Sequence, residues 1–297
     1  MKKALLTGAR GFIGRQAIPF LLERGYEVHA VGRTEQNISN VIFHACDLLN
    51  DDAQKLISKI KATHWLHFAW YVTPGKFWSS PENVTWTTAS MRLFEHFAEA
   101  GGKRIMAAGT CAEYDWKHDF LSEIKTPLLP HTLYGMAKNS LREMIQKASA
   151  QTGISFAWGR IFFLYGPHEA KGRLVSELIT KLLRNEPAPC THGKQERDFM
   201  HVTDVARAFV ETLESDHEGA VNIASGKTVT IAEVAQTIGN IIGRPELIQL
   251  GAYPTIENDP PRLAADTKIL NKKIGFKPAY SLQAGLEETV EWWKRLV

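Results

Sequence analysis

Apolar residues recur along the first 165 positions in two alternating patterns. Ala4-Leu5-Leu6, Tyr26 to Val31, Val41 to His44, Trp65 to Ala69, Arg104 to Ala108 and Ser155 to Phe163 are short apolar-rich runs, the mark of buried strands. Between them the apolar spacing changes to three and four. Ile13, Ala17, Phe20 and Leu21 predict a helix over Phe12 to Arg24 that stops at Gly25, with a bend at Pro19 where a backbone donor is lost. Strands alternating with helices predict an α/β chain with a doubly wound parallel sheet. Beyond Gly166-Pro167 the elements shorten, and turn clusters stand at Asn185 to Pro189, Ser225-Gly226 and Asp259-Pro260-Pro261. A smaller mixed α/β lobe is expected there. Phe199 to Glu214 reads as a strand end and helix returning to the main sheet, which divides the chain into 1–165 with 199–225 and 166–198 with 226–297.

Composition narrows the class. The chain has 297 residues, 44% of them hydrophobic, enough for a sizeable core. A net charge of +3 without a basic stripe argues against a nucleic-acid partner. Three separated cysteines, Cys46, Cys111 and Cys190, make neither a disulfide framework nor a metal cluster, and His131, His168 and His201 lack ligand spacing. No segment approaches the roughly 20 apolar residues that span a bilayer. Lys2-Lys3 with Ala4-Leu5-Leu6 is too short for a secretion signal. The expectation is a cytoplasmic enzyme with no membrane partner.

The most informative motif is Thr7-Gly8-Ala9-Arg10-Gly11-Phe12-Ile13-Gly14, placed between the first strand and the first helix. A glycine-rich turn there brings free backbone N–H groups and the positive helix end to one point, where the diphosphate of a dinucleotide is stabilised. Gly8 allows the turn, Gly11 clears space for the diphosphate, and Gly14 lets helix and strand approach. A second centre is Tyr134-Gly135-Met136-Ala137-Lys138. Residues four apart share a helix face, so the Lys138 ammonium can lie beside the Tyr134 phenol and lower its pKa from about 10, fitting it for proton transfer. Thr110 follows a strand at the carboxyl edge of the sheet, where its hydroxyl can bond a reacting oxygen.

These motifs, with Tyr165-Gly166-Pro167, Arg197-Asp198-Phe199-Met200-His201-Val202-Thr203-Asp204, Asn222-Ile223 and Arg262 with Asp266, resemble the extended short-chain dehydrogenase/reductases that act on nucleotide sugars as epimerases, dehydratases and reductases. The resemblance implies a Rossmann fold with a substrate-binding lobe. It further implies Tyr134 as acid/base, Lys138 as its tuner and a ribose ligand, and Thr110 orienting the substrate oxygen. The glycine loop, including Arg10, Phe12 and Ile13, together with Ala69, would hold the dinucleotide. Asp47-Leu48 would contact adenine, or Asp47 is a turn residue. Arg197 and Arg262 would bind the substrate diphosphate in paired hydrogen bonds, or form internal pairs with Asp198 and Asp266. A homodimer is implied through the Tyr134 helix and its neighbour over Asn83 to Glu99, whose Trp86 and Phe94 would face the partner or the core.

Gly32-Arg33 ends the second strand where a carboxylate would grip the 2′-hydroxyl of NAD. Arg33, helped by Arg10, favours NADP over NAD, or both are exposed loop cations. NADP in turn favours net reduction. Dehydratases of the family carry Asp-Glu where this chain has Cys111 and Ala112, which removes the acid and base of dehydration. Cys111 is read as packing or a substrate contact; Glu113 and Asp115 touch the sugar or cap a turn. Phe163 replaces a common Asn, and Trp70, Tyr71, Phe77 and Trp78 form an apolar wall for a deoxy sugar or fill the core. The leading expectation is NADPH-dependent reduction of a nucleotide-linked 4-keto, 6-deoxy sugar. A nucleotide-sugar 4-epimerase and a non-catalytic NADP-sensing protein are the alternatives.

Overall fold

The computed structural model describes residues 2–34, 36–50, 52–254 and 259–297. Its elements in chain order are β1 (Lys3–Thr7), α1 (Gly14–Glu23), β2 (Glu27–Gly32), β3 (Val41–Ala45), α2 (Asp52–Ile60), β4 (His64–His67), α3 (Glu82–Glu99), β5 (Arg104–Thr110), β6 (Phe120–Leu121), α4 (Leu133–Thr152) and β7 (Ser155–Ile161). There follow β8 (Phe163–Tyr165), α5 (Leu174–Leu183), β9 (Ala188–Pro189), β10 (Glu196–His201), α6 (Val202–Glu214), β11 (Gly219–Ile223), β12 (Thr228–Thr230), α7 (Ile231–Ile242), β13 (Ile248–Gln249), β14 (Arg262–Ala265) and α8 (Leu282–Lys294).

Seven parallel strands form the main sheet in the order β11-β7-β5-β4-β1-β2-β3. Side chains alternate across a strand, and this alternation builds two cores. Ala4 and Leu6 of β1 face a layer containing Ala17 and Leu21 of α1 and Val205 and Phe209 of α6. Leu5 faces the other side, with Ile57 of α2, Phe94 and Phe97 of α3, and Leu141 and Ile145 of α4. Of the two roles open from sequence, Phe94 takes the core one, and Trp86 is half-buried against the same core. α1 continues through Pro19 as one helix. Among the described residues, no helix is long and apolar enough to cross a membrane.

The strand order reverses beside β1, because β2 and β3 lie on one side and β4 on the other. Crevices at the carboxyl ends of such strands are where ligands bind in this architecture. Gly8, Trp70 and Thr110 all fall at that edge, just after β1, just after β4 and at the end of β5.

A second sheet runs β12-β10-β14-β6, with β8 paired to β10, and is covered by α5, α7 and α8. It corrects the expected division in three places. Ser155 to Phe163 is not one strand: β7 ends at Ile161, and Phe163 opens β8 in the other sheet. β6 likewise leaves the first 165 residues to pair with β14. β10 belongs to the second sheet, while α6, which follows it directly, packs on α1 in the main layer.

Close backbone contact explains the end glycines of the loop. Gly8 has φ +78°, and a Cβ there would lie 2.7 Å from the Ala69 nitrogen; a Cβ on Gly14 would lie 2.2 Å from the Gly8 oxygen. Gly14→Ala is expected to destabilise the protein by about 1–3 kcal/mol, as overpacking does. Calorimetric melting checks this, and an unchanged Tm would contradict the close packing.

Candidate active site

The glycine loop fits a dinucleotide by its shape. No side chain caps the first turn of α1, and a Cβ on Gly11 would meet only the Gly8 oxygen, at 3.0 Å, so the mouth of the loop is open. Phe12 and Ile13 lead from that mouth into α1, with Ile13 packed on the core. The Arg10 side chain lies over Gly32, where a Cβ would be 3.4 Å from its Cδ. Arg10 and Arg33 are both exposed, and Arg33 directly follows Gly32, the residue that Arg10 overlies at the end of β2. Arg15 supports the loop by donating to the Arg10 carbonyl at 2.7 Å. Ala69 backs the loop against Gly8. Asp47 accepts from the Leu49 N–H at 3.1 Å, which makes it a turn residue, and Leu48 is buried in the core.

At the end of β5, Thr110 caps a short 3₁₀ turn over Cys111–Glu113. Its hydroxyl accepts from the Ala112 N–H at 3.2 Å, while its own N–H donates to Glu113 Oε1 at 2.9 Å. The start of α4 presses on this turn: a Cβ on Gly135 would lie 2.3 Å from the Ala112 carbonyl oxygen. Thr132 caps α4 by accepting from the Gly135 N–H at 3.1 Å. These contacts bring the Tyr134 phenol within reach of the Thr110 hydroxyl.

The electrostatics differ from the expectation read from sequence. Burial raises the pKa of Tyr134 above that of a free phenol; the Thr110 hydroxyl opposes the rise, Glu113 and Cys111 add to it, and Arg173 opposes it. The phenol is therefore protonated at neutral pH. Lys138, buried at 3% exposure, points elsewhere. Its ammonium donates to the Ala108 carbonyl at 2.9 Å and lies 3.7 Å from the centroid of the Trp70 ring. Burial brings its pKa down to about 7, with Glu113 opposing. Four-residue spacing put the two side chains on one face, but the lysine ammonium is turned under Trp70 and onto the Ala108 carbonyl, and burial dominates the phenol's pKa.

Several expected substrate contacts have other partners. Glu113 is fully buried: Oε1 also accepts from Trp158 Nε1 at 2.9 Å, and Oε2 pairs with Arg160 at 2.7 Å. It braces the turn to β7 and has no free oxygen edge for a sugar. Asp115 accepts from the Lys117 N–H at 3.1 Å and caps a turn. Cys111 is buried with Tyr114 and Leu121, and burial pushes its thiol pKa up to about 12, so it is packing. Ala112 is buried with its carbonyl against α4. Trp70 donates to Asn83 Oδ1 at 2.9 Å and covers Lys138.

The two arginines expected to share a diphosphate are separated by strand register. β10 and β14 pair Glu196 with Arg262 and Arg197 with Leu263, so the two guanidinium groups lie on opposite faces of the sheet. Arg197 is buried and pairs with Asp259 at 2.6 Å, not with Asp198. Asp198 instead accepts from the Ser225 and Gly226 N–H groups at 2.8 and 2.9 Å. Arg262 lies by Glu196 at 3.2 Å, not by Asp266. Phe163 has the Arg197 guanidinium 5.5 Å from its ring.

Three side chains near the site escaped sequence reading. Asn83, fully buried, donates to the Phe77 and Ser80 carbonyls at 2.7 and 2.9 Å and so holds the loop that follows Trp70. Trp116 donates to the Cys111 carbonyl at 2.8 Å. Arg173 lies 5.1 Å from the Phe77 centroid, close enough for its charge to act on Tyr134. None belongs to a motif; each acts through a contact across the fold.

An open glycine loop at the reversal of a parallel sheet, beside a Tyr and Thr at the carboxyl edge, defines a Rossmann-type dinucleotide-dependent site. The chain belongs to the NAD dependent epimerase/dehydratase family, whose model matches residues 4–224. It is 27% identical over 311 residues to UDP-glucuronic acid decarboxylase 1 of Danio rerio, covering 99% of this chain and 73% of that one. It is 28% identical over 236 residues to dTDP-6-deoxy-L-talose 4-dehydrogenase (NAD(+)) of Aggregatibacter actinomycetemcomitans, covering 75% and 84%. The solved structure of MoeE5 in complex with UDP-glucuronic acid and NAD matches with TM-score 0.86 and 28% identity, covering 100% of both chains.

Removing one partner of the buried Glu113–Arg160 pair strands the other charge. Glu113→Leu is expected to cost about 3–5 kcal/mol, and the double variant Glu113→Leu, Arg160→Met to recover part of that loss. Urea unfolding measures both; a single-variant loss below about 1 kcal/mol would contradict the brace.

Proposed function

We propose that the protein is an NADPH-dependent reductase of a nucleotide-linked 4-keto sugar, with Tyr134 as the proton donor. The observation that carries the reading is the pair Arg10 and Arg33 at the end of β2, with Arg10 lying over Gly32. Two guanidinium groups suit the 2′-phosphate of NADP, and the residues that close β2, Gly32 and Arg33, place a cation where a carboxylate would grip the 2′-hydroxyl of NAD. The 4-dehydrogenase relative, which acts on a dTDP-6-deoxy sugar, supports redox chemistry at C4.

The glycine loop and the α1 amino terminus would hold the diphosphate, and Arg10 and Arg33 the 2′-phosphate. When bound, the reduced nicotinamide supplies the hydride. The chain's own groups handle the proton. Tyr134, kept protonated by burial, donates from its phenol oxygen to the substrate carbonyl oxygen as negative charge develops there. Thr110, beside the phenol, donates a hydrogen bond to the same oxygen, an interaction that strengthens toward the transition state. Lys138, fixed on the Ala108 carbonyl and under Trp70, would reach the nicotinamide ribose only if Trp70 moves aside, and would then donate to it. A homodimer is part of this reading, with exposed Val84 on α3 and Met136 and Met144 on α4 as the apolar contact.

Family membership equally supports a 4-epimerase, which uses the same acid/base pair and retains its dinucleotide. Purified epimerase would carry bound dinucleotide and turn over without added cofactor. Tyr134→Phe is expected to lower reductive kcat on the order of 10²–10⁴-fold with little change in KM. The check is NADPH absorbance with a panel of CDP-, dTDP-, GDP- and UDP-linked 4-keto sugars, and near-normal turnover would overturn the mechanism. Arg33→Ala should shift the NADPH to NADH ratio of kcat/KM toward NADH by about tenfold or more, the effect of losing one charged hydrogen bond. An unchanged ratio would overturn the cofactor assignment.

A further inference from the structure

The side chains around the Tyr134 phenol are aromatic to an unusual degree. The Phe77 ring meets Tyr134 edge to face at 4.9 Å and 86°, and Trp78 meets it at 5.8 Å and 87°. Trp116 stands against Trp78 at 6.2 Å and 82°. Trp116 and Phe163 both pack on the cluster around Cys111, next in sequence to Thr110. The wall is mainly apolar: the Trp116 N–H is held by the Cys111 carbonyl, and the Trp78 indole N–H, which has no hydrogen-bond partner among the described residues, lies at the ring edge and not on its face. Trp78 is also not filling the core, because it remains 39% exposed while its neighbour Phe77 is buried. An exposed indole fixed beside a proton donor is covered when the reacting molecule arrives.

We propose that Trp78 and Trp116 form an apolar subsite that selects the methyl-bearing edge of a 6-deoxyhexose against the hydroxymethyl edge of a hexose. A C6 hydroxyl placed against the faces of these rings, away from the Trp78 N–H edge, would lose its water partners without replacement, whereas a methyl group gains contact. Arg173 is held on the Phe77 face, so its charge lies at the rim of the wall. The inference rests on the nucleotide-sugar reading above but not on the direction of the reaction.

The test is a fluorescence titration of the full chain with NADP⁺ present, following quenching of tryptophan emission. The probes are 6-deoxyglucose and glucose linked to CDP, dTDP, GDP or UDP, pairs that differ only in the C6 hydroxyl. For the tightest-binding base, the deoxy sugar is expected to bind about tenfold tighter, the discrimination that one apolar group provides in a shaped pocket. Trp78→Ala and Trp116→Ala should bring that ratio close to one, while Trp78→Phe and Trp116→Phe, which keep an aromatic face, retain most of it. Equal affinity in the wild-type protein, or an equal loss for both sugars in the alanine variants, would overturn the subsite. NADPH formation in the oxidative direction is scored separately: its absence counts against the reductase reading, and the affinity ratio still decides the subsite. Binding of none of the eight sugars would overturn both.

Discussion

The site depends on one close approach, where the amino end of α4 rests on the turn that ends β5. Gly135 permits it, since any side chain there would occupy the Ala112 carbonyl. The turn cannot yield, because Glu113 ties it to Trp158 and Arg160 in the neighbouring strand β7. The Thr110 hydroxyl and the Tyr134 phenol meet as a consequence. A buried carboxylate–guanidinium pair is costly to desolvate and adds little net stability compared with an apolar replacement. Its value here is positional, holding the Thr110 end of β5 in register with α4, which begins twenty residues after Glu113.

Much of the main layer was legible in the sequence because it is encoded locally. The glycine loop, the α1 stripe at Ile13 and Ala17, and the Tyr134–Lys138 spacing are each contained within one turn or one element. What escaped is set by pairings between distant segments. Arg197 and Arg262 look alike as candidate phosphate ligands, yet the β10–β14 register turns them to opposite faces. Glu113 reads as a loop carboxylate until β7 delivers Trp158 and Arg160 to it, forty-five and forty-seven residues on. The break between β7 and β8 falls inside a continuous apolar run, and periodicity does not mark where a strand changes sheets.

The lysine illustrates the same limit within a single helix. Helical spacing correctly placed Lys138 on the face of Tyr134, but the side chain is long, and Trp70 from the end of β4 captures its ammonium. Charge in the site is consequently sparse. Arg197 is paired with Asp259, Glu113 with Arg160, and the phenol is kept protonated by burial. Such a site holds its phenol as a proton donor at neutral pH.

The most direct measurement of this account follows isotope from cofactor to product. With NADPH deuterated at the transferable position of the nicotinamide and a 4-keto sugar nucleotide as substrate, mass spectrometry of the product is expected to find one deuterium at C4 per turnover. Turnover that yields product without deuterium would contradict net reduction at this site.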